Sequence, residues 1–417
     1  MERLINAEQY QSAYDLGFAN LAEREGDSSF DFYFGLAALE SAHPNDAVFA
    51  FERVAATTRD PVLRERARLE LARAYFLTNN LNASENLFNQ VLASNPPQNV
   101  SQNIEAFLQL IDTRRQAQDT SFDFSVASSF GSDGNVNSAT SDGLIDTPLI
   151  GQIELNQDGQ ETGDNFYNLA ATMSYKRPFT RDTFVGATLN LNHLDNLDTD
   201  QFDLDTLRGE VSYNWGNQIN RFKHGFSYSK VNLDQNGFQS AIGLNSSWQR
   251  AGSNGWYQSL SGSYSQLRYD TSSASPQNDL RDVDQWLVSA GLTKLTQLFT
   301  HSLNLYFADE ATKLSGAAEH NGRFYAGAAY NGLYRMSNSH TPFVRVSIQD
   351  VEHDDNHPVF FNDTRSDFTE TLMLGWIWQI NRDFSVNAEA SYTSNDSDIP
   401  LFEYSRLKYQ AGFRYQF

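Results

Sequence analysis

The chain has no cysteine among its 417 residues, which excludes disulfides and thiolate metal sites. It also has no apolar run near the roughly 18 residues that a membrane-spanning helix needs. Basic residues are scarce: 30 Lys and Arg stand against 52 Asp and Glu, a formal net charge of −22. With a pI near 4.6, that balance argues against nucleic acid as a partner. The amino terminus, Met1-Glu2-Arg3-Leu4-Ile5-Asn6, lacks a basic segment followed by an apolar one. The expectation is therefore a mature or truncated start without a signal peptide. There is no Gly-x-Ser-x-Gly and no His-Glu-x-x-His. Neither an enzyme activity nor a cofactor is expected. The mean hydropathy of −0.52 would suit a soluble protein. A membrane barrel, however, shows lipid only alternate residues, so its average stays polar too.

What is present falls into two halves with different periods. Residues 1–118 carry apolar residues at helical spacing, whereas residues 119–417 alternate. In the helical half one unit holds Phe34, Gly35, Ala38, Ala47, Phe51 and Val54. The next holds Leu71, Ala72, Tyr75, Ser84, Phe88, Val91 and Pro96 at matching offsets. Small residues stand where two helices should touch, with an aromatic to fill the gap. This resembles the tetratricopeptide pattern of paired helices, whose period is about 34 residues. Ala13, Gly17 and Leu21 read as the second helix of a partial first unit, and Val100, Ile104, Phe107, Leu108 and Ile111 as the stripe of a capping helix. Such arrays bind peptides or proteins in a concave groove, and Phe32, Arg66 and Arg73 are the candidate groove residues here.

The second half predicts about fourteen antiparallel strands of bilayer-crossing length. Val185, Ala187, Leu189 and Leu191 oppose Gly186, Thr188, Asn190 and Asn192; Phe384, Val386, Ala388 and Ala390 oppose Ser385, Asn387 and Glu389. Connections near 178–182, 216–220, 251–255, 295–299, 337–339 and 380–382 are short. Those at 133–163, 195–203, 270–284, 309–321, 351–366 and 394–401 are longer and acidic. Short turns on one rim and long loops on the other mark an outer-membrane barrel. An even strand number returns both barrel ends to the short-turn side, so the helical domain is expected in the periplasm. Tyr175, Trp215, Trp248, Tyr334, Trp378 and Tyr415 fall near the short-turn ends, where an aromatic girdle meets outer-membrane lipid.

The final strand, 407–417, places Leu407, Tyr409, Ala411, Phe413, Tyr415 and Phe417 on one face and Lys408, Gln410, Gly412, Arg414 and Gln416 on the other. Phe413, Tyr415 and Phe417 form the expected signal for the barrel assembly machinery. Closure requires this strand to pair with the first, 122–130. Phe122, Phe124 and Tyr409 mark that candidate lateral seam.

The run Leu69-Glu70-Leu71-Ala72-Arg73-Ala74-Tyr75-Phe76, then Phe88, Val91-Leu92-Ala93, Asn95-Pro96-Pro97 and Asn103-Ile104-Glu105-Ala106-Phe107-Leu108 is similar to the helix-to-barrel junction of a known family. That family is the surface lipoprotein assembly modulator (Slam) family, the outer-membrane component of type XI secretion. Its members place a periplasmic tetratricopeptide domain before a fourteen-stranded barrel. The resemblance is sharpest over residues 66–111, and it departs from the family pattern in lacking the amino-terminal region. It implies a translocon that moves lipoprotein or soluble protein cargo to the cell surface, with periplasmic chaperones as partners.

Two rival readings belong to other classes. An exopolysaccharide export porin with a tetratricopeptide scaffold would be expected to carry a longer repeat array and a lumen of one charge sign. An outer-membrane enzyme would need a nucleophile set near the rim, and His193 and His224 fall on outward faces instead. Arg208, Glu210, Arg323, Arg335, Arg345, Glu370, Glu389, Lys408 and Arg414 are read as inward-facing charges of both signs. His353-Asp354-Asp355-Asn356-His357 is the densest group of potential ligands. In an acidic loop nothing fixes its spacing, so no metal site is expected.

Overall fold

In a computed structural model, the amino-terminal 116 residues form eight helices, counted among the described residues. The structure describes all residues except 117–118, 181, 274, 315–317, 359–360 and 362, and only the backbone of 115–116. The chain divides into two compact units, Met1–Asp119 and Thr120–Phe417.

The helices are α1 (Glu2–Asn6), α2 (Tyr10–Ala19), α3 (Leu21–Arg24), α4 (Ser28–Glu40), α5 (Pro44–Thr57), α6 (Pro61–Leu77), α7 (Leu81–Ala93) and α8 (Gln98–Gln116). Their starts are written in the sequence. Asp27 caps α4 by accepting from the Ser29 and Phe30 amides, Asp60 caps α6 through Val62, and Asn80 caps α7 through Ala83. Pro44 and Pro61 occupy first-turn positions, where a missing N–H costs nothing. Phe34, Phe51, Phe88 and Ile104 are fully buried between neighbouring helices. A Cβ on Gly35 would stand 2.8 Å from the Phe51 ring, so glycine is what lets α4 and α5 approach there. Asp31 is buried in the same unit, and Arg53 holds it through bonds of 3.1 and 2.8 Å. Leu21, read as part of one helix with Ala13 and Gly17, instead opens α3 after the break at Asn20.

The second unit is a closed barrel of fourteen antiparallel strands. They are β1 (Ser121–Asp133), β4 (Asp164–Thr180), β5 (Thr183–Asn196), β6 (Leu204–Gly216), β7 (Asn220–Leu233), β8 (Asn236–Ala251), β9 (Trp256–Tyr269), β10 (Val283–Leu295), β11 (Phe299–Thr312), β12 (Arg323–Tyr334), β13 (His340–Asn356), β14 (Thr364–Gln379), β15 (Phe384–Ser397) and β16 (Tyr404–Gln416). Each pairs with its sequence neighbours, and β16 returns to β1. The remaining strands, β2 (Leu144–Thr147) and β3 (Gly151–Glu154), form a separate hairpin inside the first long connection.

Four expectations need correction. The rim with long connections has one tight turn, Asp234-Gln235 between β7 and β8, with both residues at positive φ as a type I′ hairpin requires. Several strands outrun their expected ends: β13 reaches Asn356 and β11 reaches Thr312. The reason is visible on the outward rows. On β13 the row reads Val344, Val346, Ile348, then Asp350 and Glu352; on β11 it reads Leu303, Leu305, Phe307, then Asp309. The ladder continues past the apolar band, so acidic residues that read as loop belong to strands standing beyond the bilayer. Glu370, expected in the lumen, faces outward between Phe368 and Leu372. It pairs with Ile348 and shares its row with Leu372 and Leu374. Arg335 falls in the β12–β13 connection rather than on the lumen wall.

Candidate functional site: lumen, seam and outer mouth

Alternation along the strands sorts the barrel wall into two chemistries. Outward rows expose Leu, Val, Phe, Tyr and Trp, among them Leu244, Leu260, Trp286, Leu305, Leu374 and Leu407. Near the short-turn rim the aromatics stack: Trp215 on Phe222 at 5.4 Å, Tyr334 on Phe299 at 4.7 Å and Trp378 on His340 at 5.8 Å. An apolar exterior this continuous would be unstable in water, and a closed ladder leaves no backbone group unpaired in lipid. The chain forms a membrane-spanning barrel.

Inward rows are polar and carry both signs of charge. Glu210 pairs with Lys223, Glu310 with Arg323 at 2.7 Å, and Gln410 donates to Glu389. Arg345 reaches Asn331 at 3.3 Å, and Arg414 donates to Ser125 at 3.0 Å. Arg208 lines the same face. His193 and His224 face outward; the first bonds Asp205 at 2.8 Å and the second Ser246 at 2.7 Å.

The seam between β1 and β16 is the shortest in the barrel. Its ladder runs from Ser125↔Gln416 to Asp133↔Lys408, nine pairs, against eleven to fourteen at each of the other interfaces. Phe122 lies below it, paired only with Tyr175 of β4. Phe124 closes the lower end, its carbonyl accepting from the Phe417 amide at 2.9 Å and its ring stacking on Phe417 at 5.2 Å. Tyr409 sits one pair from the upper end of the seam, opposite Ser132. Phe413 packs on Phe384 at 5.8 Å, and Tyr415 meets Phe417 edge-on at 4.8 Å. Two glycines hold the strands close. A Cβ on Gly131 would run into the Tyr409 carbonyl, and one on Gly412 into that of Ser128. At the upper end Asp133, 2% exposed, receives Arg406 through bonds of 2.9, 3.1 and 2.5 Å, with Lys408 3.7 Å away.

At the rim with the longer connections, these build a small core of their own. Ile145 of the β2–β3 hairpin, Phe361 and Ile399 are buried together, with Ile153, Leu155, Leu401 and Phe402 around them. This hairpin was not expected from the sequence, although two short alternating runs, Leu144–Thr147 and Gly151–Glu154, flank a turn that contains Pro148. His353 lies on β13, not in a loop, and donates from Nδ1 to the His320 carbonyl at 2.8 Å. Burial, with His320 and Arg365 nearby, pushes the His357 imidazole below its ordinary range. Among the described residues no group of three His, Asp or Glu side chains is arranged to hold a metal ion.

In the helical unit the three groove candidates separate. Phe32 is 3% exposed, a core residue beneath the Arg66 guanidinium at 5.0 Å, and so offers a partner no surface. Arg73 is engaged by Glu70 at 2.6 Å and Glu40 at 3.0 Å.

No protein-family model matches the sequence, and no curated protein matches it. Solved structures resemble the barrel only in outline. The outer membrane channel DcaP of Acinetobacter baumannii is 9% identical with a TM-score of 0.41, covering 72% of this chain and 97% of that one. A loop-deletion mutant of OmpT, an outer membrane protein of Vibrio cholerae, is 9% identical with a TM-score of 0.42 over 72% and 99%. A bacterial polysaccharide outer membrane secretin is 10% identical with a TM-score of 0.35 over 71% and 98%. The barrel assignment rests on this chain's own closed ladder and apolar belt.

Proposed function

We propose that the protein is an outer-membrane translocon that carries lipoprotein or soluble protein cargo to the cell surface. The helical unit, on the periplasmic side, engages cargo or a chaperone through paired helices of tetratricopeptide type, and the barrel passes cargo outward. The observation that carries this reading is the closing seam. It has the fewest ladder pairs of any interface, and it leaves Ser121 to Asp123 of β1 without a β16 partner. An open strand edge of this kind can template an extended segment of another chain. The mixed charges of the lumen favour neither cations nor anions, which suits a polypeptide of varied sequence better than a selective pore. With no nucleotide in the periplasm, directionality comes from cargo folding or being captured outside.

The test is a reversible lock. Ala127→Cys with Arg414→Cys places two thiols on paired, inward-facing positions of the seam. Oxidation should abolish delivery of surface proteins, measured by protease shaving of intact cells, and reduction should restore it. Undiminished delivery through a fully oxidised seam would rule out lateral opening.

A further inference from the structure

The outer mouth contains a cavity of about 340 Å³ walled by four different connections and strand ends. Arg281 enters from the β9–β10 connection, His320 from β11–β12, His353 and Asp355 from β13, His357 from the residues after it, and Arg365 from β14. The volume falls within the range of small-molecule sites.

Three observations define what would fit. First, Arg281 has no carboxylate partner among the described residues; it rests on the rings of Tyr269 at 4.6 Å and Phe238 at 5.5 Å. Arg365 gives Nε and one Nη to Asp367 at 3.0 and 2.6 Å while its plane lies on Phe402 at 3.5 Å. Its other Nη has no bond among the described residues. Second, the His353 Nδ1 contact with the His320 carbonyl requires that nitrogen to carry the proton, because a carbonyl only accepts. Nε2 is then a bare acceptor, buried and without a partner among the described residues. His357 Nδ1 is likewise buried and without a partner among the described residues. Buried polar atoms in this state are rare and signal a missing bonding group. Third, a cation is disfavoured by the two guanidiniums, and no metal-holding group of three is present among the described residues.

We propose that this cavity binds an anionic monosaccharide unit: an acidic group held by Arg281 and Arg365, with hydroxyls donating to His353 Nε2 and bonding His357 Nδ1. A guanidinium supplies N–H donors for oxyanions, whereas a neutral imidazole nitrogen supplies the acceptor that a hydroxyl needs. One ligand carrying both groups would meet the open guanidinium nitrogens and the two unpartnered imidazole nitrogens. Asp355, the acid on this wall, turns an oxygen to the Asn356 amide at 2.8 Å.

The site is independent of the translocation reading and is tested apart from it. The full chain, folded in detergent, is titrated by calorimetry with glucose 6-phosphate, with glucuronate, with neutral glucose and with Zn²⁺. Binding of either anion without binding of glucose is expected. Which anion binds distinguishes a phosphate from a carboxylate as the acidic group. Arg281→Gln and, separately, His353→Gln should each weaken that binding by about tenfold. Retained heat-modifiable gel migration would show that both variants are folded barrels. Equal binding of glucose, binding of neither anion, saturation by Zn²⁺ alone, or unchanged affinity in both variants would overturn the assignment.

Discussion

Arg406→Ala removes the principal partner of a carboxylate that has almost no solvent of its own. Asp133 is 2% exposed and closes the upper end of the seam. Arg406 reaches it with three bonds and ties Ser138 at 3.1 Å through its remaining nitrogen. After the substitution Asp133 keeps the Asn135 amide at 3.1 Å and Lys408 at 3.7 Å. Removing one member of a buried pair typically costs about 3–5 kcal/mol, because the other is left charged and unpaired. Here Arg406 is 30% exposed and Lys408 stays in reach, so about 2–3 kcal/mol is expected. The double variant Asp133→Ala, Arg406→Ala leaves no orphan charge and should cost less than Arg406→Ala alone. Urea titration of the folded barrel, followed by heat-modifiable gel migration, gives both values. A loss below about 0.5 kcal/mol for Arg406→Ala, the range of surface substitutions, would show that Asp133 does not depend on Arg406. So would a double variant less stable than both singles.

Other outcomes follow from the same structure. Deleting Phe417 removes the amide that bonds Phe124 and the ring stacked on it, so barrel yield should fall; normal abundance of heat-modifiable barrel would contradict this. Arg53→Ala strands the buried Asp31 carboxylate with the Gly26 amide at 2.9 Å, and should lower helical-unit stability by about 2–4 kcal/mol in chemical denaturation followed by circular dichroism. The Phe30 amide, then Arg24, hold the Asp27 carboxyl below its usual range at the start of α4. A depressed pKa means that the stabilisation is present above the ordinary carboxylate range and is lost as pH falls through the lowered value. The gap in thermal midpoint between the native protein and Asp27→Ala should therefore close on acidification; a gap that widened would show the sign to be wrong.

The strands and their faces were legible because a period of two survives any choice of apolar residue, as in Val185 to Leu191 and Phe384 to Ala390. The helix starts were legible at Asp27, Asp60-Pro61 and Asn80, where local chemistry satisfies local amides. Glu370 was not, because charge alone was read as lumen, while its parity puts it on the outward row with Phe368 and Leu372. The Asp234-Gln235 turn carries none of the glycine that normally signals a type I′ hairpin. Phe32 was misplaced because helical spacing gives a stripe but not which side of the stripe meets solvent. The mouth cavity was beyond reach, since Arg281, His320, His353 and Arg365 come from four separate connections and strand ends that only the closed barrel brings together.

Deletion of the gene, with the surface proteins of intact cells then compared by protease shaving, tests the central claim most directly. One or more surface-exposed proteins should disappear from the surface and accumulate in the periplasm while exopolysaccharide is unchanged. Loss of exopolysaccharide with a normal complement of surface proteins would contradict it.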